Sequence, residues 1–467
     1  MFIANQFFKN ILDAGVDNTG VTDSTTAINA AFALGGYWFF PSGTYKVTAP
    51  LNMSVAGTHV SGAGYATQIK PASTFVGSQI FNITANYCVV EDLRVEYASS
   101  TTSTNPAATG ASITSAQGCR IENTLMLYIN GWIVESIGGA QSNYNTHLKN
   151  VRGYQTTSGF HFKGVTASGF GGIHFVEDCY PNQTRGGDCW FIEDFLDLEA
   201  VNIFGEPETA QAGYAFHVKG NCNGIYVTNF DFGLYPSGML NSSIFIESDA
   251  NGSPSHIGFS NGITEGGVAG IEIDAGSHIA FTNVHVYSNQ TYGVKIDGGT
   301  SIHLNNCHFD GNGSVASGTR YDIQSAGTSD IVIEGCTFAT PKGTGVNQVD
   351  HVINDTAFVS YFYNNSFIGT GFVNNNGDTI QGYPNIVRGN QGVNNPGNIG
   401  APAIGASPYT PGVQAFDYTA YVTGGTVSAI AVGGTVTGLT SGTFRVAAGQ
   451  TITLTYTVAP TWIWIGD

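Results

Sequence analysis

Gly131-Trp-Ile-Val-Glu-Ser136 is the first of seven similar six-residue segments that decide the fold of this chain. The others are Gly159-Phe-His-Phe-Lys-Gly164, Cys189-Trp-Phe-Ile-Glu-Asp194, Ala215-Phe-His-Val-Lys-Gly220, Ser243-Ile-Phe-Ile-Glu-Ser248, Gly270-Ile-Glu-Ile-Asp-Ala275 and Gly293-Val-Lys-Ile-Asp-Gly298. Each alternates apolar and variable positions, which is the period of a strand with one buried face. Their return every ~23–30 residues predicts a solenoid rather than a globular sandwich.

Stacking these segments in register would align their residues in columns, with neighbouring strands ~4.8 Å apart. One buried column is predicted to contain Trp132, Phe160, Trp190, Phe216, Ile244, Ile271 and Val294. An outward aromatic column would contain Ile133, His161, Phe191, His217, Phe245, Glu272 and Lys295. An outward charge column would contain Glu135, Lys163, Glu193, Lys219, Glu247, Asp274 and Asp297.

The composition is that of a turn-rich β protein. The 467 residues include 63 glycines, and only 10% of them are charged. The net charge of −18 argues against nucleic acid or an anionic membrane as partner, because both require a basic surface. Residues 1–9 lack the apolar run of a signal peptide, and no stretch approaches ~20 apolar residues. We therefore expect assembly in a cytoplasm, even if the protein acts elsewhere.

The seven cysteines are scattered and lack the spacing of a zinc site. We expect free thiols, with Cys307 and Cys336 at equivalent inward positions and Cys179–Cys189 as the one pair that merits a test. The sequence has no defensible Ser-His-Asp triad, phosphate loop or metal cluster, so neither a cofactor nor a metal is expected.

The N-terminal segment predicts a capping helix and then the first coil. Asp23 or Ser24 can cap a helix through about Leu34, with Ile28, Ala31 and Phe32 on one side. Such a helix would cover the open end of a solenoid. The first coil then starts with the run Trp38-Phe-Phe-Pro-Ser-Gly-Thr-Tyr-Lys-Val47.

The same segment resembles a known superfamily. The run Thr22-Asp-Ser-Thr-Thr-Ala-Ile-Asn-Ala-Ala31, followed by Phe40-Pro-Ser-Gly-Thr-Tyr45, is similar to the N-terminal signature of pectate-lyase-like right-handed β-helix proteins. That superfamily includes polygalacturonases, many phage tailspikes and polysaccharide depolymerases. The signature covers roughly residues 13–62. It indicates the fold and not the chemistry, because unrelated activities share it.

We therefore predict an all-β, right-handed parallel β-helix of eleven to twelve coils in four segments. Residues 1–37 form the lead and capping helix, and residues 38–373 form the β-helix. Residues 374–412 form a linker, and residues 413–467 form a small C-terminal β module. Because tailspikes that resemble this chain are homotrimers closed by a small C-terminal β domain, the resemblance implies a homotrimer.

Two features of the coils carry structural predictions. Asparagines recur before the next strand, where they tolerate a left-handed turn and can bond along the stack: Asn123, Asn150, Asn261, Asn283 and Asn306. Longer turns are expected on one side, where insertions in repeat proteins mark the working face: Cys179–Asp188, Phe204–Gly213 and Leu234–Ser242.

The outward columns are the first candidate site. His161, Phe191, His217 and Phe245 are expected to form an exposed platform ~15 Å long, enough for several sugar rings. The structural alternative is that alternating charges from Glu135 to Glu247 only oppose register slips. The predicted substrate-binding residues are His161, Lys163, Arg185, Phe191, His217, Lys219 and Phe245.

Catalytic roles follow from the neighbours of each carboxylate. Glu193, between Lys163 and Lys219, should have a lowered pKa, which suits a base or an electrostatic stabiliser. Glu247, between Lys219 and Asp274, is the predicted acid with a raised pKa. The two carboxylates lie two coils apart, ~9–10 Å, near the spacing of an inverting glycosidase.

An acidic patch with Arg185 and Trp190 is the second candidate: Glu177, Asp178, Asp188, Asp194, Asp197, Glu199, Glu206 and Glu208. Asp188 and Glu206 are expected to end and open the long turns beside the platform. They could form an acid/base pair, and a partner subunit could supply one of its two members. Solvated loop carboxylates are the simpler interpretation.

The favoured function is that of a phage or prophage tailspike that binds and hydrolyses a bacterial surface polysaccharide such as capsule or O-antigen. It would be mounted on a virion tail or baseplate, be assembled in the host cytoplasm and act outside the cell. A polysaccharide lyase acting on a uronic-acid polymer is the mechanistic alternative, and a non-cleaving receptor-binding solenoid is the third. A lyase is disfavoured because no arginine within the coils lies in an aspartate cluster of the kind that calcium-dependent lyases use.

Overall fold

The computed structural model shows a right-handed parallel β-helix of about 12 turns, as predicted. It describes residues 8–138, 145–164, 173–208, 212–233, 239–315, 320–326, 329–340, 348–349, 351–355, 360–368, 380–382, 386–388, 401–412, 417–447 and 449–466. The chain divides into two compact units, which are Met1–His285 and Val286–Asp467. No helix among the described residues is long and apolar enough to cross a membrane.

The first unit contains two sets of parallel strands. The platform sheet consists of Leu51–Met53, Gln79–Ile83, Thr109–Thr114, Val134–Ile137, Phe160–Lys163, Trp190–Glu193, Phe216–Lys219, Ile244–Glu247 and Ala269–Ile273. The ladder sheet consists of Lys9–Asn10, Thr19–Asp23, Tyr37–Phe40, Gly43–Val47, His59–Gly62, Thr67–Pro71, Val89–Glu96, Arg120–Leu127, His147–Tyr154, His174–Glu177, Tyr180–Thr184, Leu196–Pro207, Asn223–Gly233, Ser255–Glu265 and Ser277–Tyr287. The last strand extends two residues past the unit boundary.

The predicted register is confirmed through most of the platform sheet. His161 pairs with Phe191, Phe191 with His217, and His217 with Phe245. Phe245 in turn lies opposite Glu272. The strand residues that alternate with these side chains are buried in the core, because alternate residues of a strand point to opposite faces.

The register predicted for the first segment is wrong by two residues. Val134, and not Trp132, lies opposite Phe160, and Glu135 lies opposite His161 instead of Lys163. Ile133, which was predicted to face outward, is fully buried. Within the strand Val134–Ile137 a slip of two residues keeps each side chain on its face, so alternation alone cannot detect it, whereas Trp132 and Ile133 precede the strand and do not follow the alternation.

The predicted asparagine ladder is present at the bend of the ladder sheet. Its five predicted members all have a positive φ, between 49° and 56°. Asn150 Nδ2 donates to Asn123 Oδ1 at 3.0 Å, and Asn283 Nδ2 donates to Asn261 Oδ1 at 3.1 Å. Asp178, Asn202 and Asn229 continue the pattern through intervening coils. The left-handed turn and the amide chain both follow from asparagine chemistry.

The N-terminal helix spans Thr25–Phe32 and ends two residues before the predicted Leu34. Ile28, Ala31 and Phe32 are buried on one side of it, as expected. Asp23 caps its first turn by accepting from the backbone N–H of Thr25 at 3.1 Å. Short 3₁₀ segments lie at Ile11–Ala14, Gly64–Ala66 and Thr102–Thr104.

The second unit also contains parallel strands: Tyr292–Ile296, Thr300–Asn305, His308–Asp310, Tyr321–Ser325, Ser329–Glu334, Thr337–Phe338, His351–Asp355, Ser360–Tyr363, Ser366–Phe367, Ile380–Gly382 and Ile386–Arg388. Asp322 is buried among them, and its Oδ1 accepts from Asn312 at 2.7 Å and Thr340 at 2.8 Å. Burial raises the pKa of Asp322 to about 7.

The C-terminal part of the second unit forms two small antiparallel sheets. Their strands are Tyr418–Thr423, Thr426–Val432, Thr435–Val436, Gly442–Val446, Ile452–Val458 and Thr461–Gly466. Trp462 and Trp464 point into the shared core, while Ile463 and Ile465 are exposed. Most of the predicted linker 374–412 lies outside the described residues, so the domain boundaries stay predictions.

All seven cysteines are buried free thiols, including Cys179 and Cys189. Cys307 and Cys336 occupy equivalent inward positions, and the Cys307 backbone N–H donates to Cys336 Sγ at 3.4 Å. The cysteines therefore serve as small core residues.

Candidate functional site

The outward face of five adjacent strands in the platform sheet forms one continuous polar and aromatic surface. We call it the platform: Glu135, His161, Lys163, Phe191, Glu193, His217, Lys219, Phe245 and Glu247. These side chains face outward because each lies an odd number of residues from a buried strand position.

The aromatic column of the platform is more enclosed than the sequence predicts. His161, His217 and Phe245 are each only 7% exposed, and Phe191 is half-buried. The predicted open row of rings is therefore wrong in its exposure, although correct in its register. Since strands lie ~4.8 Å apart, flat side chains at equivalent positions cover one another's faces.

The rings form a stack that continues into the turns. The centroid distances are 5.0 Å for His161–Phe191, 4.8 Å for Phe191–His217 and 5.3 Å for His217–Phe245. Trp132 stacks on His161 at 4.9 Å, and Tyr214 stacks on Phe245 at 4.8 Å. These two turn residues were not predicted as site residues. Each lies two residues before its strand begins, which is the only signal that the sequence offers.

His161 lies between two carboxylates. Its Nδ1 is 3.3 Å from Glu135 Oε1, and its Nε2 is 3.3 Å from Glu193 Oε2. Lys163 Nζ donates to the other oxygen of Glu193 at 2.8 Å. Because both ring nitrogens face acceptors, the doubly protonated imidazole satisfies this geometry best.

The same arrangement returns two strands later around His217. Its Nδ1 is 2.9 Å from Asp188 Oδ2, and its Nε2 is 3.2 Å from Glu247 Oε1. Lys219 Nζ lies 3.0 Å from the same Glu247 oxygen. Asp188 lies just before the strand Trp190–Glu193, and its Oδ1 accepts a hydrogen bond from the backbone N–H of Tyr214 at 2.9 Å. Phe191 separates the two arrangements.

The electrostatics of the first arrangement follow from these contacts. Hydrogen bonding by His161, and then by Lys163, lowers the pKa of Glu193 to about 2 against the opposing effect of burial. Burial acts against charge on the imidazole, but hydrogen bonds to Glu135 and Glu193 outweigh it and raise the pKa of His161. The predicted direction for Glu193 is therefore confirmed, with His161 as its main cause rather than the lysines alone.

The contacts of Glu247 do not set it apart from Glu193. Both accept from one lysine and one histidine. The sequence-based prediction distinguishes the two carboxylates by their lysine neighbours alone. It leaves out the hydrogen bonds from the imidazoles, which bridge adjacent strands.

The structure separates Asp188 from Glu206. Asp188 belongs to the platform, as described above, whereas Glu206 lies on the strand Leu196–Pro207 of the ladder sheet and accepts from the Tyr180 hydroxyl. The predicted turns Cys179–Asp188 and Phe204–Gly213 begin as strands, which is why Glu206 is not a loop residue. Their pairing as one acid/base site stays a prediction.

Arg185 has structural partners away from the platform side chains. Its Nε lies 3.1 Å from Glu208 Oε2, and its Nη1 donates to the backbone oxygen of Ser100 at 3.1 Å. The guanidinium thus ties the turn after Thr184 to a distant loop. Its predicted role in substrate binding stays a prediction.

Comparisons with known proteins agree with this fold. The family model described as rhamnogalacturonase A/epimerase, pectate lyase-like, matches residues 8–184. The A-module of the Azotobacter vinelandii mannuronan C-5 epimerase AlgE6 superimposes with a TM-score of 0.58 at 16% identity, covering 82% of this chain and 98% of the module. A comparison with curated protein sequences gives no match.

Two phage proteins are similar at the same level. The tailspike protein gp49 of Pseudomonas phage LKA1 has a TM-score of 0.55 at 10% identity and covers 98% of both chains. The N-terminal fragment of bacteriophage phi29 gene product 12 has a TM-score of 0.59 at 13% identity, covering 79% of this chain and 63% of that one. At such identities the likeness concerns the fold, and it confirms the resemblance to pectate-lyase-like right-handed β-helix proteins.

Proposed function

We propose that this protein binds a bacterial surface polysaccharide on the platform and hydrolyses it there as an endoglycosidase. The observation that carries the proposal is the repeated carboxylate–imidazole–carboxylate arrangement, Glu135–His161–Glu193 and Asp188–His217–Glu247. Paired carboxylates are the usual catalytic groups of glycoside hydrolysis. The flanking rings supply apolar contact area for sugars.

The proposed roles follow from protonation. Glu193 is ionised at neutral pH, because its pKa is lowered to about 2, so it acts as the base that activates water. Glu247 has contacts like those of Glu193, so its proposed role as proton donor rests on spacing alone: it lies two strands away at ~9–10 Å, which leaves room for water as in inverting enzymes. Lys163 and Lys219 hold these carboxylates, and the two imidazoles fix their orientation.

The biological setting belongs to the same proposal. We propose a virion tail protein of a phage or prophage that acts outside the host cell as a homotrimer. The tailspike of Pseudomonas phage LKA1, with its equal coverage of both chains, supports this setting by fold alone. The small C-terminal sheets, with eleven buried core residues in the part of the chain that the structure describes, fit a module that association would stabilise.

A polysaccharide lyase is the second candidate. Lys163 and Lys219 place two cationic groups on the face that also carries two imidazoles. A uronate carboxylate could be neutralised by such a lysine while a neighbouring group removes the adjacent proton. The lysines are already paired with Glu193 and Glu247, which favours the hydrolase.

Product analysis tests the proposed reaction. Purified capsules and lipopolysaccharides are incubated with the protein and resolved by size exclusion, and the products are assayed for reducing ends and for the ultraviolet absorbance of unsaturated uronates. Shortened chains with new reducing ends and no unsaturation support the hydrolase. Unsaturated products would show that the protein is a lyase instead. Unchanged chain length with retained binding would show that it is a receptor-binding solenoid.

Two variants locate the reaction. Glu193→Gln and Glu247→Gln are each expected to lower the depolymerisation rate by about 10²–10⁴-fold. Glu334→Gln, an exposed carboxylate on the strand Ser329–Glu334, is the matched control. Full activity in both platform variants would show that the reaction occurs elsewhere.

A further inference from the structure

A second concave surface lies on the ladder sheet, at the bend marked by the asparagine ladder. We call it the ladder cleft. Its volume is about 590 Å³, within the range of small-ligand sites. Its lining residues are Asn123, Lys149, Asn150, Arg152, Asp178, Tyr180, Phe204 and Asp231.

Four of these residues form a row across adjacent strands. Arg152 lies opposite Tyr180, and Phe204 lies opposite Asp231. The rings of Tyr180 and Phe204 meet edge to face, with centroids 5.3 Å apart. At ~4.8 Å per strand, the row from the guanidinium to the carboxylate is ~14 Å long.

The aromatic part of the row is open and fixed in place. Phe204 is 41% exposed, against 7% for His161, His217 and Phe245 on the platform. The Tyr180 hydroxyl donates to Glu206 and accepts from Asn182 Nδ2 at 2.7 Å. An exposed ring beside an oriented phenol can stack on the apolar face of a sugar and bond its hydroxyls.

The polar ends of the row have spare hydrogen-bonding capacity. Among the described residues, no group hydrogen bonds to the Asp231 carboxylate, and burial, followed by the charge of Glu206, raises its pKa. Arg152 donates to Asn150 Oδ1 through Nε at 3.2 Å, and its side chain is otherwise exposed. Asn150 and Asn123 use only part of their amide groups in the ladder.

We propose that the ladder cleft is a second saccharide-binding site, which holds a segment of the polysaccharide chain away from the platform. Exposed aromatic faces, amides and a carboxylate with free acceptor sites match the alternating apolar faces and hydroxyls of a sugar chain. The site rests on the proposed polysaccharide ligand but not on the proposed reaction.

Binding to immobilised bacterial capsular polysaccharides and lipopolysaccharides tests this site. All proteins carry Glu193→Gln, so that cleavage does not remove the probe. Phe204→Ala and Asp231→Asn are compared with the parent and with Tyr226→Ala, a ring on the same sheet that is 51% exposed, against 41% for Phe204, and does not line the cleft. Each cleft variant is expected to weaken binding about tenfold, while Tyr226→Ala binds like the parent.

Several outcomes overturn the proposal. Parental affinity in both cleft variants would do so, and so would a parent that binds none of these glycans. A changed oligomeric state of Phe204→Ala in sedimentation would assign the face to a second copy of the chain instead. If Glu193→Gln keeps full turnover while the cleft variants bind weakly, the platform reaction fails and the ladder cleft stands.

Discussion

The platform and the ladder cleft lie on different sheets of the same coils and arrange their polar groups in opposite ways. On the platform, carboxylates, imidazoles and lysines bond one another, and the rings are nearly enclosed. In the cleft, Phe204 is open and Asp231 accepts no hydrogen bond from the described residues. Tightly fixed groups suit chemistry, because their orientation and charge are set in advance. Open groups suit the holding of a chain.

The largest effect is expected from a residue that lies behind both surfaces. Trp190 is fully buried, stacks on Phe160 at 4.3 Å and donates its indole N–H to the backbone oxygen of Phe204 at 2.6 Å. Trp190→Ala should lower the free energy of unfolding by about 3–5 kcal/mol. Chemical denaturation followed by circular dichroism measures this.

Phe204→Ala is compared with Trp190→Ala, because Phe204 is 41% exposed whereas Trp190 is fully buried. It should change the free energy of unfolding by only about 0.5 kcal/mol. Equal losses for the two variants would mean that the cleft is as much a part of the core as the buried stack.

The pH dependence of stability should have opposite signs in the two regions. The folded-state pKa of Glu193 is lowered, so its contribution is present above the unfolded-state value and is lost as the pH falls toward 2. The folded-state pKa of Asp231 is raised, so its contribution is present at low pH and is lost as the pH rises through that pKa. Melting temperatures across the pH range measure both.

Single substitutions show which residue causes each part of the pH dependence of the melting temperature. Glu193→Gln should flatten the acidic limb, and Asp231→Asn should raise the melting temperature at neutral pH relative to the parent. If both variants changed the melting temperature in the same pH range, the expected difference between the platform and the ladder cleft would be wrong.

A smaller effect is expected at the floor of the cleft. Asn150 has a φ of 49° and donates to Asn123. Asn150→Ala should cost about 1–2 kcal/mol, because alanine disfavours the left-handed region. Asn150→Gly, which accepts that φ, should cost less. If chemical denaturation shows the same loss of unfolding free energy for both variants, the loss comes from the side-chain hydrogen bond to Asn123 and not from backbone strain.

The smallest effect concerns ion pairs. Lys149–Glu177 beside the cleft is 2.9 Å long with both side chains more than 40% exposed, so a double-mutant cycle should give only a weak coupling. Lys163–Glu193 on the platform is less exposed and should give the larger coupling. The reverse order would contradict the difference in enclosure.

The sequence could predict the features that depend on alternation or on local backbone chemistry. The columns from Phe160 to Ile271 and the asparagine ladder are of this kind, because strand period and left-handed turns are local properties. The slip at Trp132 is not, since a shift by two residues preserves the pattern. The bridging of Glu193 by His161 depends on side-chain length across strands, which spacing alone does not show.

The ladder cleft was missed for a related reason. Tyr180 and Phe204 were assigned to long turns, whereas both lie on strands of the ladder sheet. These strands contain Pro181, Gly205 and Pro207, residues that ordinarily predict turns. Pairing with neighbouring coils overrides that local preference.

Steady-state kinetics on one depolymerised polysaccharide tests the division between the two surfaces most directly. Glu193→Gln should lower kcat by about 10²–10⁴-fold, whereas the loss in Phe204→Ala should appear as an increase of about tenfold in KM. A Glu193→Gln protein with the kcat of the parent, or a Phe204→Ala protein whose loss lies in kcat, would contradict the account.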